Sequence, residues 1–120
     1  MSVDLNFWRY KEGAARDHRR VYRLACCERE TLEELETLPV EDILEKLAAA
    51  FSDWTALGGG HYEREGRGAF SVSTTAQTVR FDCYGMGEAD MNALMDVPMA
   101  FGCPLYDPQI DERFDGWTDH

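Results

Sequence analysis

The side chains of this sequence with chemistry to offer are three histidines, four cysteines and two aspartates that lie beside tyrosines. His18, His61 and His120 are scattered, and Cys26, Cys27, Cys83 and Cys103 form no CxxC pair, whereas a closed zinc site draws on closely spaced ligands. A zinc ion held by Cys83, Cys103 and His61 would need three distant segments to converge, so no metal is expected. Cys83 falls on the apolar side of an alternating stretch and reads as core filling, and Cys26 and Cys27 read as a helix edge. Asp82 and Asp107, close to Tyr84 and Tyr106, would serve as an acid and a base only if their environments differed. Arg80 stands two residues before Asp82, so a shared polar strand face is the expected arrangement. The glycines Gly85 and Gly87 precede a helix, but a phosphate loop needs a third glycine, and Glu88 and Asp90 would repel the phosphate. GxSxG, GxxxxGK[ST], HExxH and EF-hand patterns are absent. The expectation is a protein with no catalytic residues and no cofactor.

The element that must position these groups is a β-hairpin over residues 69–85, AFSVSTTAQTVRFDCYG. Phe70 and Val72 share one face of its first arm, and Val79, Phe81 and Cys83 share one face of its second, with Arg80, Asp82 and Tyr84 opposite. Gly85 and Gly87 break the strand, after which Met91, Leu94, Met95 and Met99 recur at helical spacing and supply a cover for the apolar face. Residues 3–11 alternate as a first strand with aromatics on both faces. Asp17 is placed to cap a short helix through Val21, Leu24 and Ala25. Leu32, Leu35 and Leu38 come at intervals of three, which predicts a loose helical turn or two. Pro39 then suits the first turn of a helix over residues 39–54, whose apolar stripe is Ile43, Leu44, Leu47, Ala50, Phe51 and Trp54. Residues 61–65 read as a polar edge strand, and residues 103–108 as a last short strand through Leu105 and Tyr106. The order predicts an α+β fold, a sheet dominated by antiparallel pairing with helices packed on one face, arranged as a ferredoxin-like βαββαβ split.

A chain of 120 residues with 44% hydrophobic content suits one domain, residues 1–120, with residues 109–120 as a semi-independent acidic and aromatic tail. No stretch approaches the roughly 20 apolar residues that span a bilayer, and the first residues lack the pattern of a secretory leader, so a cytoplasmic protein with reduced thiols is expected. The net charge is −11, and its distribution is informative. Residues 28–45 hold eight acids and one base, residues 101–120 hold five acids and one base, and the remainder balances at ten of each. Such a surface repels nucleic acid and anionic membrane and favours a basic protein partner.

Two acidic surfaces compete for that partner. Tyr106, Asp107, Asp111, Glu112, Phe114, Asp115 and Trp117 combine acids with aromatics that solvation alone does not require, and are the first expectation. Glu33, Glu34 and Glu36 are the alternative, denser in charge but explicable as the wet side of a packed turn. In size, acidity and the single-domain α+β pattern, the chain resembles the small immunity proteins of bacterial toxin-immunity systems. The resemblance implies a non-enzymatic inhibitor that occludes a cognate basic toxin, often a nuclease. A small homodimeric housekeeping or ligand-binding domain is the competing expectation, with the sheet or the Phe114 and Trp117 tail as its interface.

Overall fold

The computed structural model describes residues 2–14, 16–107 and 112–114. The elements run β1 (Ser2–Phe7), α1 (His18–Val21) continuing into a π-helical turn (Tyr22–Cys27), α2 (Val40–Ala50), β2 (Thr55–Gly58), β3 (His61–Arg64), β4 (Gly68–Thr74), β5 (Val79–Tyr84), α3 (Glu88–Met99), β6 (Leu105–Asp107) and β7 (Glu112–Phe114). The fold is α+β. Its strands form one seven-stranded sheet in the order β2-β3-β4-β5-β1-β6-β7, every neighbouring pair antiparallel. Taken alone, β1, α2, β4, β5, α3 and β6 follow one another as βαββαβ. With β2 and β3 on one edge and β7 on the other, the sheet is larger than the sequence pattern indicated.

The predicted hairpin is β4 and β5, with Val72 opposite Phe81 and Phe70 opposite Cys83, so the alternation read from the sequence sets the register. Against its apolar face lie α2 and α3. Leu5, Phe7, Phe70, Val79, Phe81 and Cys83 from the strands meet Ile43, Leu47, Leu94 and Val97 from the two helices in one buried cluster. Phe70 is the aromatic hub of this cluster, edge-on to Phe51 at 5.1 Å between ring centroids and stacked on Tyr62 at 4.9 Å.

Three expectations need correction. The helices do not share one face: α1 and the π turn lie on the other side of the sheet, where Trp8, Tyr10, Val21, Ala25, Cys26, Leu32, Leu35 and Tyr106 form a second buried cluster. The helix expected over residues 39–54 stops at Ala50, and Phe51 and Trp54 are buried from a turn rather than from the helix. The chain then makes β2, a strand exposed on both faces, before a turn at Gly59 and Gly60. Gly60 is required there, since its φ is +83° and a Cβ would come within 2.5 Å of the Val72 carbonyl oxygen. Finally, Leu32, Leu35 and Leu38 are all buried, but on a non-helical segment whose Leu35 forms an isolated antiparallel bridge with Tyr10.

Candidate functional site

The acidic stretch between the π turn and α2 has no helix to hold it, and it is pinned to the β4–β5 turn instead. Gln77, 5% exposed, accepts a hydrogen bond from the Leu32 amide at 2.8 Å and donates to the carbonyls of Leu32 at 2.8 Å and Leu35 at 3.1 Å. A buried amide that satisfies three backbone groups fixes the segment that carries them. Two further bonds flank it. The Arg29 guanidinium donates to the Thr74 carbonyl at 2.8 Å, and the Leu38 amide donates to the Ala76 carbonyl at 2.8 Å. Arg29 itself adopts φ +61°, which turns the chain out of the π turn and into this segment.

The acids sort into two groups on this frame. Glu34 is ion-paired with Arg20, and Glu36 lies 3.7 Å from Arg9, so these two are partly neutralised from within. Glu28, Glu30, Glu33, Glu41, Asp42 and Glu45 are exposed and form no ion pair among the described residues. Where the pinned segment enters α2, an open groove of about 390 Å³ is lined by Leu38, Pro39, Val40, Glu41, Asp42 and Ala76. Apolar side chains and two carboxylates line it together.

A second polar constellation lies on the sheet face beneath α1. Asp4 and Asp82 stand opposite each other on β1 and β5, and Arg80 sits between them, 3.7 Å from Asp4 and 3.2 Å from Asp82. The Tyr22 hydroxyl donates to Asp4 at 2.9 Å, the Asn6 amide donates to the same oxygen at 3.1 Å, and Arg80 also reaches the Cys27 sulfur at 3.7 Å. Burial works against the charge on Arg80, but the hydrogen bond it donates to Asp82 and the nearby charges of Asp82 and Asp4 outweigh it and hold the guanidinium above its ordinary value. Tyr22 is pushed above the ordinary phenol range by burial and then by its bond to Asp4. These shifts favour a charged Arg80 and a protonated Tyr22. The pairing of Arg80 with Asp82 is the shared strand face anticipated from their spacing.

The other reactive groups do not converge. His61, Ser71 and Asp82 stand in one cross-strand row on β3, β4 and β5, but the serine occupies the middle and no hydrogen bond joins it to either neighbour. A nucleophile activated by a base requires that bond. Cys83 and Cys103 are buried in the core on one side of the sheet, whereas His61 is exposed on the other, and among the described residues no group of three or more His, Cys, Asp or Glu is placed to hold a metal ion. All four cysteines are free thiols, with Cys27 exposed and the other three buried.

Of the residues expected to meet a partner at the C-terminal end, Tyr106 is 1% exposed and belongs to the second core, in ring contact with Trp8 and Tyr22. It is a core residue and not a contact residue. Asp107 closes β6, and Glu112 and Phe114 bound β7, with Leu105 paired to Phe114. Asp111, Asp115 and Trp117 lie outside the described residues. In the alternative set Glu33 is exposed, while Glu34 and Glu36 face arginines of this chain. Sequence reasoning missed Gln77, Arg29 and the groove beside Ala76, because no local pattern ties a loop glutamine to a segment forty residues away. No helix among the described residues is long and apolar enough to cross a membrane. No protein-family model matches the sequence, and no curated protein or solved structure matches it either.

Proposed function

We propose that the chain is a non-enzymatic binding protein of the immunity type, which occludes a basic partner such as a cytoplasmic toxin domain. The observation that carries this reading is the set of six exposed acids, without ion pairs among the described residues, on and beside a segment held by Gln77 and Arg29. Carboxylates left without internal counter-charges draw a cationic surface in over a distance of about a Debye length, roughly 8 Å at physiological salt. Because the segment is held before the partner arrives, less ordering entropy opposes binding. With Tyr106 of the C-terminal set buried, the 28–45 surface is the one to test first.

The experiment pairs the chain with the basic polypeptide encoded beside it in its genome. Co-expression should restore growth to a host that this polypeptide poisons. Glu28→Lys, Glu30→Lys and Glu33→Lys together should slow association by about tenfold or more and weaken its dependence on salt, with dissociation little changed. Full protection and unaltered association by the triple variant would remove this surface from the mechanism.

A further inference from the structure

Resting on that reading, we infer that the groove at the start of α2 receives one arginine side chain of the basic partner. Its walls come from two segments that a backbone hydrogen bond joins, Leu38 to Ala76 at 2.8 Å, and Leu38 is itself buried at 5% exposure, so the groove stands open without a partner present. Leu38, Pro39, Val40 and Ala76 line it with apolar groups, and Glu41 and Asp42 offer exposed carboxylates that form no ion pair among the described residues. An open groove lined by apolar groups and two carboxylates matches a long side chain with an aliphatic stem and a cationic head.

The chemistry narrows the occupant further. A helix N-terminus ordinarily welcomes an anion, but two carboxylates in this first turn already meet that preference and repel another. Two acids are too few to replace the hydration shell of a divalent cation. Between the two basic side chains, the planar guanidinium is the better fit, since its fork serves two carboxylates at once and it is the more weakly hydrated of the two.

The test titrates the full-length, 15N-labelled chain with nona-arginine and nona-lysine peptides at low salt. Amide shifts should concentrate at Leu38, Val40, Glu41, Asp42 and Ala76, with the arginine peptide binding several-fold more tightly. Ala76 is exposed, so Ala76→Trp fills the groove without changing charge or core packing. That variant should weaken arginine binding by about tenfold, a change of about 1.4 kcal/mol, and erase the preference over lysine. Asp42→Asn should do the same. If Ala76→Trp binds both peptides as the parent does, or if the parent binds them equally, the groove inference is overturned while the acidic-surface reading stands. If neither peptide binds the parent, both are overturned.

Discussion

The two faces of the sheet are covered by different means. On the first, α2 and α3 lay aliphatic and aromatic side chains onto Phe70, Phe81 and their neighbours. On the second, a single helical turn and a π turn supply fewer apolar groups, and the cover is completed by polar links: Tyr22 to Asp4, Arg80 to Asp82 and Asp4, and Gln77 to the Leu32 and Leu35 backbone. The second cluster is also ringed by aromatics in mutual contact, Trp8 with Tyr106 at 5.2 Å and Tyr22 with Tyr106 at 5.7 Å. One face therefore depends on volume and the other on partners. A methylene lost from the first leaves a void, whereas an atom lost from the second leaves a donor or acceptor unmet.

Phe81→Ala should give the largest effect, about 3 to 5 kcal/mol in urea unfolding, since it removes a fully buried ring from the middle of the first face. Arg80→Ala, one residue away and facing the other side, should cost about 1 to 2 kcal/mol. That loss reflects Asp4 and Asp82 left facing each other across paired strands, discounted because both carboxylates and the guanidinium are partly exposed. Equal losses for the two variants would mean that the contrast between the faces is false.

Gln77→Ala should come between them, at about 2 to 3 kcal/mol, because it strands one amide and two carbonyls in a buried site. Hydrogen exchange gives the sharper readout. The Leu32 amide should lose protection in this variant while the amides of β4 and β5 keep theirs. Loss of protection across both would show that the acidic segment and the sheet open as one unit.

The two faces also differ at alkaline pH. Burial pushes Cys26, in the second cluster, and Cys83, in the first, up to about 12. An unfolded thiol titrates near 8.5, so the folded form keeps protons that the unfolded form has released. Stability is then whole below about pH 8.5 and declines as pH rises from there toward 12. Tyr22 adds to the decline on the second face alone. Urea midpoints should accordingly fall with pH, and Cys26→Ala with Tyr22→Phe should flatten the fall more than Cys83→Ala does. A steeper slope for the double variant would reverse the assignment.

Legibility in the sequence follows the same division. Phe70, Val72, Val79, Phe81 and Cys83 revealed β4 and β5 because a strand with one dry face must alternate, and Asp17 marked the start of α1, where its carboxylate accepts from the Arg20 amide at 3.1 Å. Leu94 and its helix were visible for the corresponding reason at a period of 3.6. The second face escaped notice, since its order comes from pairs distant in sequence, such as Gln77 with Leu32, which leave no periodic trace. Leucines spaced by three imitated a helix there. β2 escaped because Thr55, Ala56, Leu57 and Gly58 are exposed on both sides and so have no reason to alternate, and because Phe51 and Trp54 continue the spacing of α2 after the helix has ended. The acids were legible as charge, but their freedom from internal pairing was not: Glu33 and Glu34 are adjacent in sequence, and Arg20 approaches only the second.

The place of β1 between β5 and β6 has a consequence for how the chain acquires its shape during synthesis. β2 to β5 follow one another as a meander, each strand beside the one made just before it, and such contacts close short loops at little entropic cost. The first strand has no such neighbour. Among the described residues, Ser2–Phe7 finds its strand partners at Val79–Tyr84 and at Leu105 and Tyr106, so a strand made before the meander is among the last to be seated. Until then Leu5 and Phe7 have no sheet to cover them, and the interval in which they stand open is set by the time needed to translate the residues between.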